Sequence, residues 1–245
     1  LTDYTELGAS AWVQLSVVTS LMGTDPSLEF ELARAGIERL GDRPADRFML
    51  QTARCEAADG EAALAECDVA VELAEAGYPG SDNNLVTALS LRASIAASIG
   101  RAKQARADLE RAIGLRTKLS ADDPRIPVAM FDLAIVELDN RELTRAAVRM
   151  EEALAAFERI HGPNYSFIGH GRLAAASISI ERDRFKEAEQ HIDGALEILD
   201  AEHEDHTWAL DARAGLESEL GQHEQAVQTF EQALAHSLRA APADV

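Results

Sequence analysis

Alanine recurs at helical spacing along this chain, with large apolar residues beside it and charged residues between. In four stretches an alanine, three residues, a large apolar residue, two residues and a second alanine are followed by Ile or Leu: ARADLERAI from 105, AAVRMEEAL from 146, AEQHIDGAL from 188 and AVQTFEQAL from 226. A fifth copy, ALAECDVAV from 63, carries Cys67 in the large apolar position. Spacings of three, four and seven residues lie on one helix face, so each stretch is predicted to be an amphipathic helix.

Another alanine precedes each of the four leading alanines by twelve residues, at Ala93, Ala134, Ala176 and Ala214. Between the two alanines lies a turn position, which is occupied by Gly100, Arg141, Asp183 or Gly221. Each unit is therefore predicted to be a helix, a short turn and an antiparallel helix, in which alanine lets the helices approach closely. From Ala63 to Ala226 the leading alanines repeat at intervals of 42, 41, 42 and 38 residues, as in a helical repeat array.

The repeat covers nearly the whole chain. We predict helix pairs at residues 9–40, 45–76, 84–117, 124–160, 166–199 and 207–238, within a single domain over residues 1–245. In the second pair, Gln51 stands where the other first helices carry alanine. Clear alternation of Val, Ile and Thr with polar residues, which strands would require, does not occur, so the predicted class is all-α.

These patterns resemble the tetratricopeptide (TPR) repeat, whose consensus is W-x2-L-G-x2-Y followed by A-x3-F. Trp12, Leu15, Ser16 and Thr19 occupy the first-helix positions of that consensus. The long period is similar to that of TPR units in kinesin light chain and in bacterial signalling proteins, whose G-P-D-H-P-like loop corresponds to GPNYS at 162–166 and DDP at 122–124. The resemblance implies a right-handed superhelical solenoid whose first helices line a concave groove.

The stretch ILDAEHEDHTW, residues 198–208, concentrates side chains that can bind metal ions: Glu202, His203, Glu204, Asp205 and His206. A metal site needs three or four converging ligands, and no partner pair of His or Cys stands elsewhere at a suitable spacing. His203 lies eleven residues before Ala214, where the resembling loops carry a structural His. We therefore interpret the stretch as a structural loop in which Asp205 or Thr207 caps the next helix, and we predict no metal or cofactor.

The net charge of −20 argues against nucleic acid and anionic membranes as partners, because both require a basic surface. No stretch is long enough to span a membrane, and no basic segment precedes the apolar stretch at 11–22 as it would in a signal peptide. We expect a cytoplasmic protein in which Cys55 and Cys67 are reduced, although a bridge between them is geometrically possible because they lie on consecutive predicted helices. Because the chain begins at Leu1 without Met, we also expect a trimmed chain or a segment of a longer one.

Candidate catalytic chemistry is absent from the sequence. It contains no G-x-S-x-G, Walker loop, H-E-x-x-H or dinucleotide fingerprint. The 43 acidic residues follow helix-surface periodicity, so no catalytic pair stands out. We predict that the protein is not an enzyme.

Counting from the small alanines identifies the first-helix positions that face the groove implied by the TPR resemblance. They are Val128, Phe131, Ile135, Leu138, His170, Leu173, Ser177, Ile180, Trp208 and Asp211. None is Lys or Asn, so the carboxylate clamp known from the family is not expected. The apolar centre suits a helix or an extended apolar peptide, unless these residues belong to the core between repeats or are covered by the chain's own last helix or a second copy.

The leading hypothesis is a non-catalytic scaffold that binds a protein or peptide segment through this groove. One alternative is a regulatory or sensor segment of a larger signalling protein, such as a bacterial serine/threonine kinase. Another is homo-oligomerisation, with a homodimer formed through Trp12 and the apolar stretch at 11–22, because a terminal repeat should be polar outside.

Overall fold

The structure is a computed structural model that describes residues 31–35 and 44–240. Residues 31–35 are helical. Residues 44–240 form the helices α1 (Pro44–Ala57), α2 (Gly60–Glu75), α3 (Ser81–Ser98), α4 (Ala102–Leu119), α5 (Arg125–Asp139), α6 (Leu143–His161), α7 (Ser166–Glu181), α8 (Phe185–Ile198), α9 (His206–Glu219) and α10 (His223–Ala240). The described residues contain no β-strand, and the predicted all-α class is confirmed. The predictions for Trp12 and the stretch at 11–22 lie outside the described residues, as does the helix pair predicted at 9–40 apart from residues 31–35.

The turns inside the helix pairs occur where the spacing of the alanines predicts them. Gly100, Arg141, Asp183 and Gly221 have φ values of 75°, 62°, 57° and 73°. In each turn the next N–H returns to a carbonyl five residues earlier, as from Arg184 to Ser179 at 2.8 Å. This bond satisfies a carbonyl that the helix end leaves unpaired, and it requires left-handed backbone at the turn residue. Glycine adopts that conformation without strain, whereas a residue with a side chain does so at a cost of about 1 kcal/mol.

The chain divides between Ala121 and Asp122 into two compact units. In the first unit, α1 packs on α2, α2 on α3 and α3 on α4. Arg92 of α3 ties its neighbours together, because its guanidinium binds both carboxylate oxygens of Asp108 in α4 at 2.7 Å and Asp68 in α2 at 2.8 Å. The core of this unit consists of large apolar residues and alanines: Phe48, Ala70, Val71, Ala74, Leu85, Val86, Ala88, Leu89 and Ala112.

The expectation of reduced cysteines is wrong for this structure, in which Cys55 and Cys67 form a disulfide. Their Cα atoms lie 5.1 Å apart, within the usual range for a disulfide. The antiparallel arrangement of α1 and α2 brings both side chains into the same buried contact, which the predicted helix pair allows; the expectation of a reducing compartment had argued against the bond.

In the second unit, α5 pairs with α6, α7 with α8 and α9 with α10. The pairs stack through α6 on α7 and α8 on α9. Glycine in α7 permits close approach, since a Cβ atom on Gly171 would lie 2.7 Å from Leu154 of α6. The alanines of the repeat pattern in this unit are buried, as predicted: Ala134, Ala146, Ala153, Ala176, Ala188, Ala195, Ala214, Ala226 and Ala233.

In the described part of the chain, none of the helices combines the length and the apolar character that a membrane span requires.

Candidate recognition surface

All ten residues predicted to face a groove lie on α5, α7 and α9 of the second unit. None of the ten is buried. The residues that α5 and α7 do bury, such as Leu133 and Ile178, lie on other sides of these helices. Ser177, Trp208 and Asp211 are exposed, and the others are half-buried: Val128, Phe131, Ile135, Leu138, His170, Leu173 and Ile180. We call this partly exposed set, together with Phe167, the first-helix face.

Aromatic rings connect the three helices across the first-helix face. The Phe131 ring of α5 meets the Phe167 ring of α7 edge-on, with centroids 5.5 Å apart. Phe167 lies 5.9 Å from the His170 ring, and His170 lies 5.4 Å from the Trp208 ring of α9. Trp208 is 58% exposed. Four rings from three helices therefore form one continuous aromatic surface, with the largest ring open to solvent.

Phe167 is the member of this row that counting from the alanines missed. It lies three residues before His170 in α7, so helical spacing places it on the same face. Its ring also contacts Phe157 of α6 at 5.0 Å, which anchors the row to the core of the unit. Extending the count by one helical turn towards the start of α7 would have found it.

Polar contacts fix the orientation of His170. Its Nε2 lies 3.0 Å from Oδ2 of Asp205, which is in the loop before α9. In the same loop, Nδ1 of His203 accepts the backbone N–H of Asp205 at 3.1 Å. Because the imidazole and the carboxylate hold one another, the ring is positioned between Phe167 and Trp208 rather than free to rotate.

Asp205 occupies the N-cap position of α9, as predicted, but the predicted side-chain cap is wrong for both Asp205 and Thr207. Asp205 precedes α9 but makes no side-chain cap, because its carboxylate binds His170 instead. Thr207 already lies inside the helix, and its hydroxyl group is 2.9 Å from Nδ1 of His236 in α10. His206 Nδ1 is 2.7 Å from the carbonyl oxygen of Leu199. The loop side chains thus contact neighbouring helices, and no three potential ligands converge on a metal position anywhere in the described residues.

A cleft of about 440 Å³ opens where α5 and α7 end. Three predicted positions, Leu138, Ser177 and Ile180, line it. Its rim is charged, because Arg141 and Glu181 form an ion pair there at 2.5 Å. The first-helix face therefore has a row of aromatic rings and, at the ends of α5 and α7, a cleft that is apolar at Leu138 and Ile180 and charged at its rim.

Two carboxylates accompany the aromatic row. Asp132 lies one residue after Phe131, and Asp211 lies three residues after Trp208; neither makes a hydrogen bond or ion pair with another described residue. Desolvation by the surrounding helices raises the pKa of the Asp132 carboxyl. By contrast, the nearby cation Arg213 is paired with Asp193 of α8. The charged side chains beside the aromatic rings that have no ion-pair partner among the described residues are therefore the two carboxylates.

The tetratricopeptide repeat family model matches residues 210–235, which span most of α9 and the first two-thirds of α10. A search of curated protein sequences finds no match to this chain. The sequence similarity therefore rests on one repeat near the end of the chain.

Solved structures with the same arrangement of helices are numerous. BtubC (BKLC) from P. vanneervenii is 16% identical, with a TM-score of 0.68, over 97% of this chain and 92% of that one. A Rap protein complexed with competence and sporulation factor is 15% identical, with a TM-score of 0.67, over 94% of this chain and 64% of that one. A STAND signal transduction ATPase with a tetratricopeptide repeat sensor from Pyrococcus horikoshii is 12% identical, with a TM-score of 0.75, over 95% of this chain and 36% of that one.

At these identities the likeness concerns the fold alone. Together with the repeat at 210–235, it confirms the predicted resemblance to TPR proteins. This chain spans less than two-thirds of the Rap protein and about a third of the STAND protein.

Proposed function

We propose that this chain is a non-catalytic interaction scaffold that binds a protein or peptide segment on its first-helix face. The observation that carries the proposal is the continuous aromatic row from Phe131 to Trp208, with Trp208 58% exposed. Large aromatic side chains are enriched among the residues that dominate binding energy at interfaces. They bury much apolar area at little entropic cost, because a ring has only two side-chain torsions.

Preorganisation supports this choice of surface. Phe167 is anchored against Phe157, and His170 is held by Asp205. A ligand that stacks on these rings therefore orders few side chains, so less of the contact energy is lost on binding. An exposed ring on an otherwise mobile loop would lack this advantage.

Charge indicates which segments fit the face. Asp132 and Asp211 lie beside the aromatic row without partners among the described residues. A basic side chain on the ligand would find an acceptor there, and an acidic one would be repelled. The ligand we propose is a peptide segment with apolar or aromatic residues next to at least one Lys or Arg.

The likeness to the STAND protein, whose TPR part is described as a sensor, favours a second candidate. In it, the same face binds a segment of a larger signalling protein and regulates another domain. This candidate keeps the surface and changes only the source of the ligand, so one set of variants tests both.

The test is a selection of peptides from a randomised display library on the wild-type chain. Selected peptides are then measured against wild type, Trp208→Ala and Val148→Ala by fluorescence anisotropy. Val148 is the matched control, because it is 56% exposed on α6, outside the first-helix face. We expect Trp208→Ala to weaken binding about thirtyfold and Val148→Ala to leave it unchanged.

Equal binding to wild type and Trp208→Ala would refute the proposal, and so would a selection without basic residues or without apolar ones. Capture from a cell lysate with the same three proteins then tells whether the ligand comes from another protein or from a longer form of this chain.

A further inference from the structure

The last described helix carries an apolar stripe on the side that faces away from its own unit. Val227, Phe230, Leu234 and Leu238 of α10 are 56%, 47%, 60% and 68% exposed. Their spacing of three, four and four residues places them along one side of the helix, over about 16 Å. The adjoining side of the helix is buried against α9 through residues such as Ala226 and Ala233.

In the preceding pairs the position equivalent to Phe230 is covered by the following pair. Phe230 corresponds to Met150 in α6 and Ile192 in α8, which are 1% and 0% exposed. Met150 lies against Gly171 of α7, and Ile192 belongs to one cluster with Leu216 of α9. The repeat pattern therefore leaves a surface on α10 that has the apolar character of an interface.

This stripe is nevertheless not shaped for one more repeat of the same kind. Leu238 corresponds to Glu158 in α6 and to Asp200 just after α8, which are exposed acids. Conversely, Ser237 is exposed, whereas its equivalent Leu199, directly after α8, is buried. Val227 and Leu238 extend the apolar surface around the helix, beyond the side on which Phe230 and Leu234 match the stacking residues Met150 and Leu154. A different partner fits the stripe better.

We propose that a second copy of this chain covers the stripe, with the two α10 helices packed antiparallel about a two-fold axis between Phe230 and Leu234. In that arrangement Phe230 of one copy faces Leu234 of the other, and Val227 faces Leu238. All four apolar side chains of each copy then meet apolar side chains.

Charge at the two ends of α10 is complementary in the same arrangement. Exposed Glu224 in the first turn comes opposite exposed Arg239 of the other copy, and the two-fold axis creates this pair twice. The parallel alternative would bring glutamate next to glutamate and arginine next to arginine. One pair of like charges does remain, because Glu231 of each copy lies close to the axis on the same flank of the helix.

One helix face is a small interface, so the dimer is expected to be reversible and to depend on concentration. The test is sedimentation equilibrium of the 245-residue chain from about 5 to 500 µM. We expect the dimer to increase with concentration in wild type. Leu234→Glu with Leu238→Glu should raise the dissociation constant at least thirtyfold, about 2 kcal/mol or more. Both residues are more than half exposed, so circular dichroism should show an unchanged fold.

Val148→Glu, on an equally exposed apolar residue outside the stripe, is the matched control and should leave the dimer intact. Charge variants test the orientation. Arg239→Glu should weaken the dimer, and Arg239→Glu combined with Glu224→Arg should restore it. Glu231→Gln should tighten it.

A chain that stays monomeric over the whole range would overturn the proposal and would leave the stripe to another segment or protein. A dimer that survives the double glutamate variant would do so too, because it would use another surface. Failure of the charge reversal to restore association would overturn the antiparallel arrangement. Trp208→Ala should not affect the dimer, so this test and that of the first-helix face have separate outcomes.

Discussion

The helix pairs α1–α2 and α7–α8 follow the same repeat register with different chemistry at equivalent positions. Cys55 and Cys67 form a disulfide in the first pair. The repeat positions that they occupy hold Ile180 and Ile192 in the second, where Ile180 packs against the apolar cluster that contains Ile192. One contact between the two helices is therefore covalent in α1–α2 and apolar in α7–α8.

The polar positions differ in the same way. Gln51 replaces the alanine found at Ala176, and its side-chain amide donates to Glu66 of α2 at 2.6 Å and 2.9 Å. Glu66 in turn corresponds to His191 in α8. Whereas Glu66 is bonded by Gln51, Nδ1 of His191 is buried without a hydrogen-bond partner among the described residues.

The repeat therefore specifies which positions of two paired helices are in contact, but not the chemistry of that contact. A position that is small and apolar in one pair can be long and polar in another, provided that the facing residue satisfies it. The stability of the α1–α2 pair should therefore depend on redox state and that of the α7–α8 pair on packing and pH.

The largest expected effect concerns close packing in α7–α8. A Cβ atom on Gly169 would lie 2.6 Å from Cγ of Leu199, which is fully buried and cannot move aside. We expect Gly169→Val to lower the free energy of unfolding by about 3 kcal/mol. Gly215→Ala is the control, because no atom lies within 4 Å of its would-be Cβ, and it should stabilise α9 by up to about 1 kcal/mol. Urea denaturation measures the unfolding free energy of both variants. If Gly169→Val were stabilising and Gly215→Ala destabilising, close approach would not be what holds α7 and α8 together.

The disulfide in α1–α2 comes next. It joins residues twelve apart, and closing a loop of that size restricts the unfolded chain by roughly 2–3 kcal/mol. We expect a reducing agent to lower the melting temperature of wild type but not of Cys55→Ala with Cys67→Ala. Hydrogen exchange should rise in α1 and α2 and stay constant in α7 and α8. Detection of two free thiols in the native, unreduced protein would contradict this prediction.

A smaller effect is expected at Gln51, which is 3% exposed. Gln51→Ala restores the alanine of the repeat but removes two hydrogen bonds to Glu66, although Arg54 still pairs with that carboxylate at 2.5 Å. We expect a loss of about 1–2 kcal/mol in unfolding free energy, measured in urea. Gln190→Ala, at an exposed position of α8, should change it little. A more stable Gln51→Ala would mean that the alanine pattern outweighs the polar contact.

Within the described residues 44–240, sequence periodicity predicted an array of helix pairs and the positions of the turns at residues 100, 141, 183 and 221, because these depend on local spacing. Even Arg141, which is a poor residue for left-handed backbone, occupies the turn at which the alanine count placed it. Phe167 was missed although its spacing from His170 carried the signal.

The spacing of residues along the chain could not predict which residues distant in sequence are in contact. Asp205 had two partners within reach, the start of α9 and a histidine 35 residues earlier, and only the packing of α7 against α9 decides for His170. Cys55 and Cys67 likewise pair because two helices face each other with those positions aligned.

The smallest expected effect is the pH dependence that His191 gives to α7–α8. Desolvation by burial lowers the pKa of His191, against an opposing influence from the Glu151 carboxylate 3.4 Å from its Nε2 and with a smaller lowering influence from Arg172. The unfolded chain therefore binds the proton more tightly than the folded one. The stabilisation that comes from burying the neutral ring is fully present above the unfolded pKa of about 6.5 and is lost as the pH falls through the lower folded pKa.

We expect the melting temperature of wild type to fall more between pH 7 and 5 than that of His191→Leu. His223→Leu, at an exposed position of α10, is the control and should follow wild type. If the melting temperatures of wild type and His191→Leu changed in parallel with pH, the buried ring would not make the stability of α7–α8 depend on pH. His191 and Glu66 would then differ only in their hydrogen bonding and not in their effect on stability.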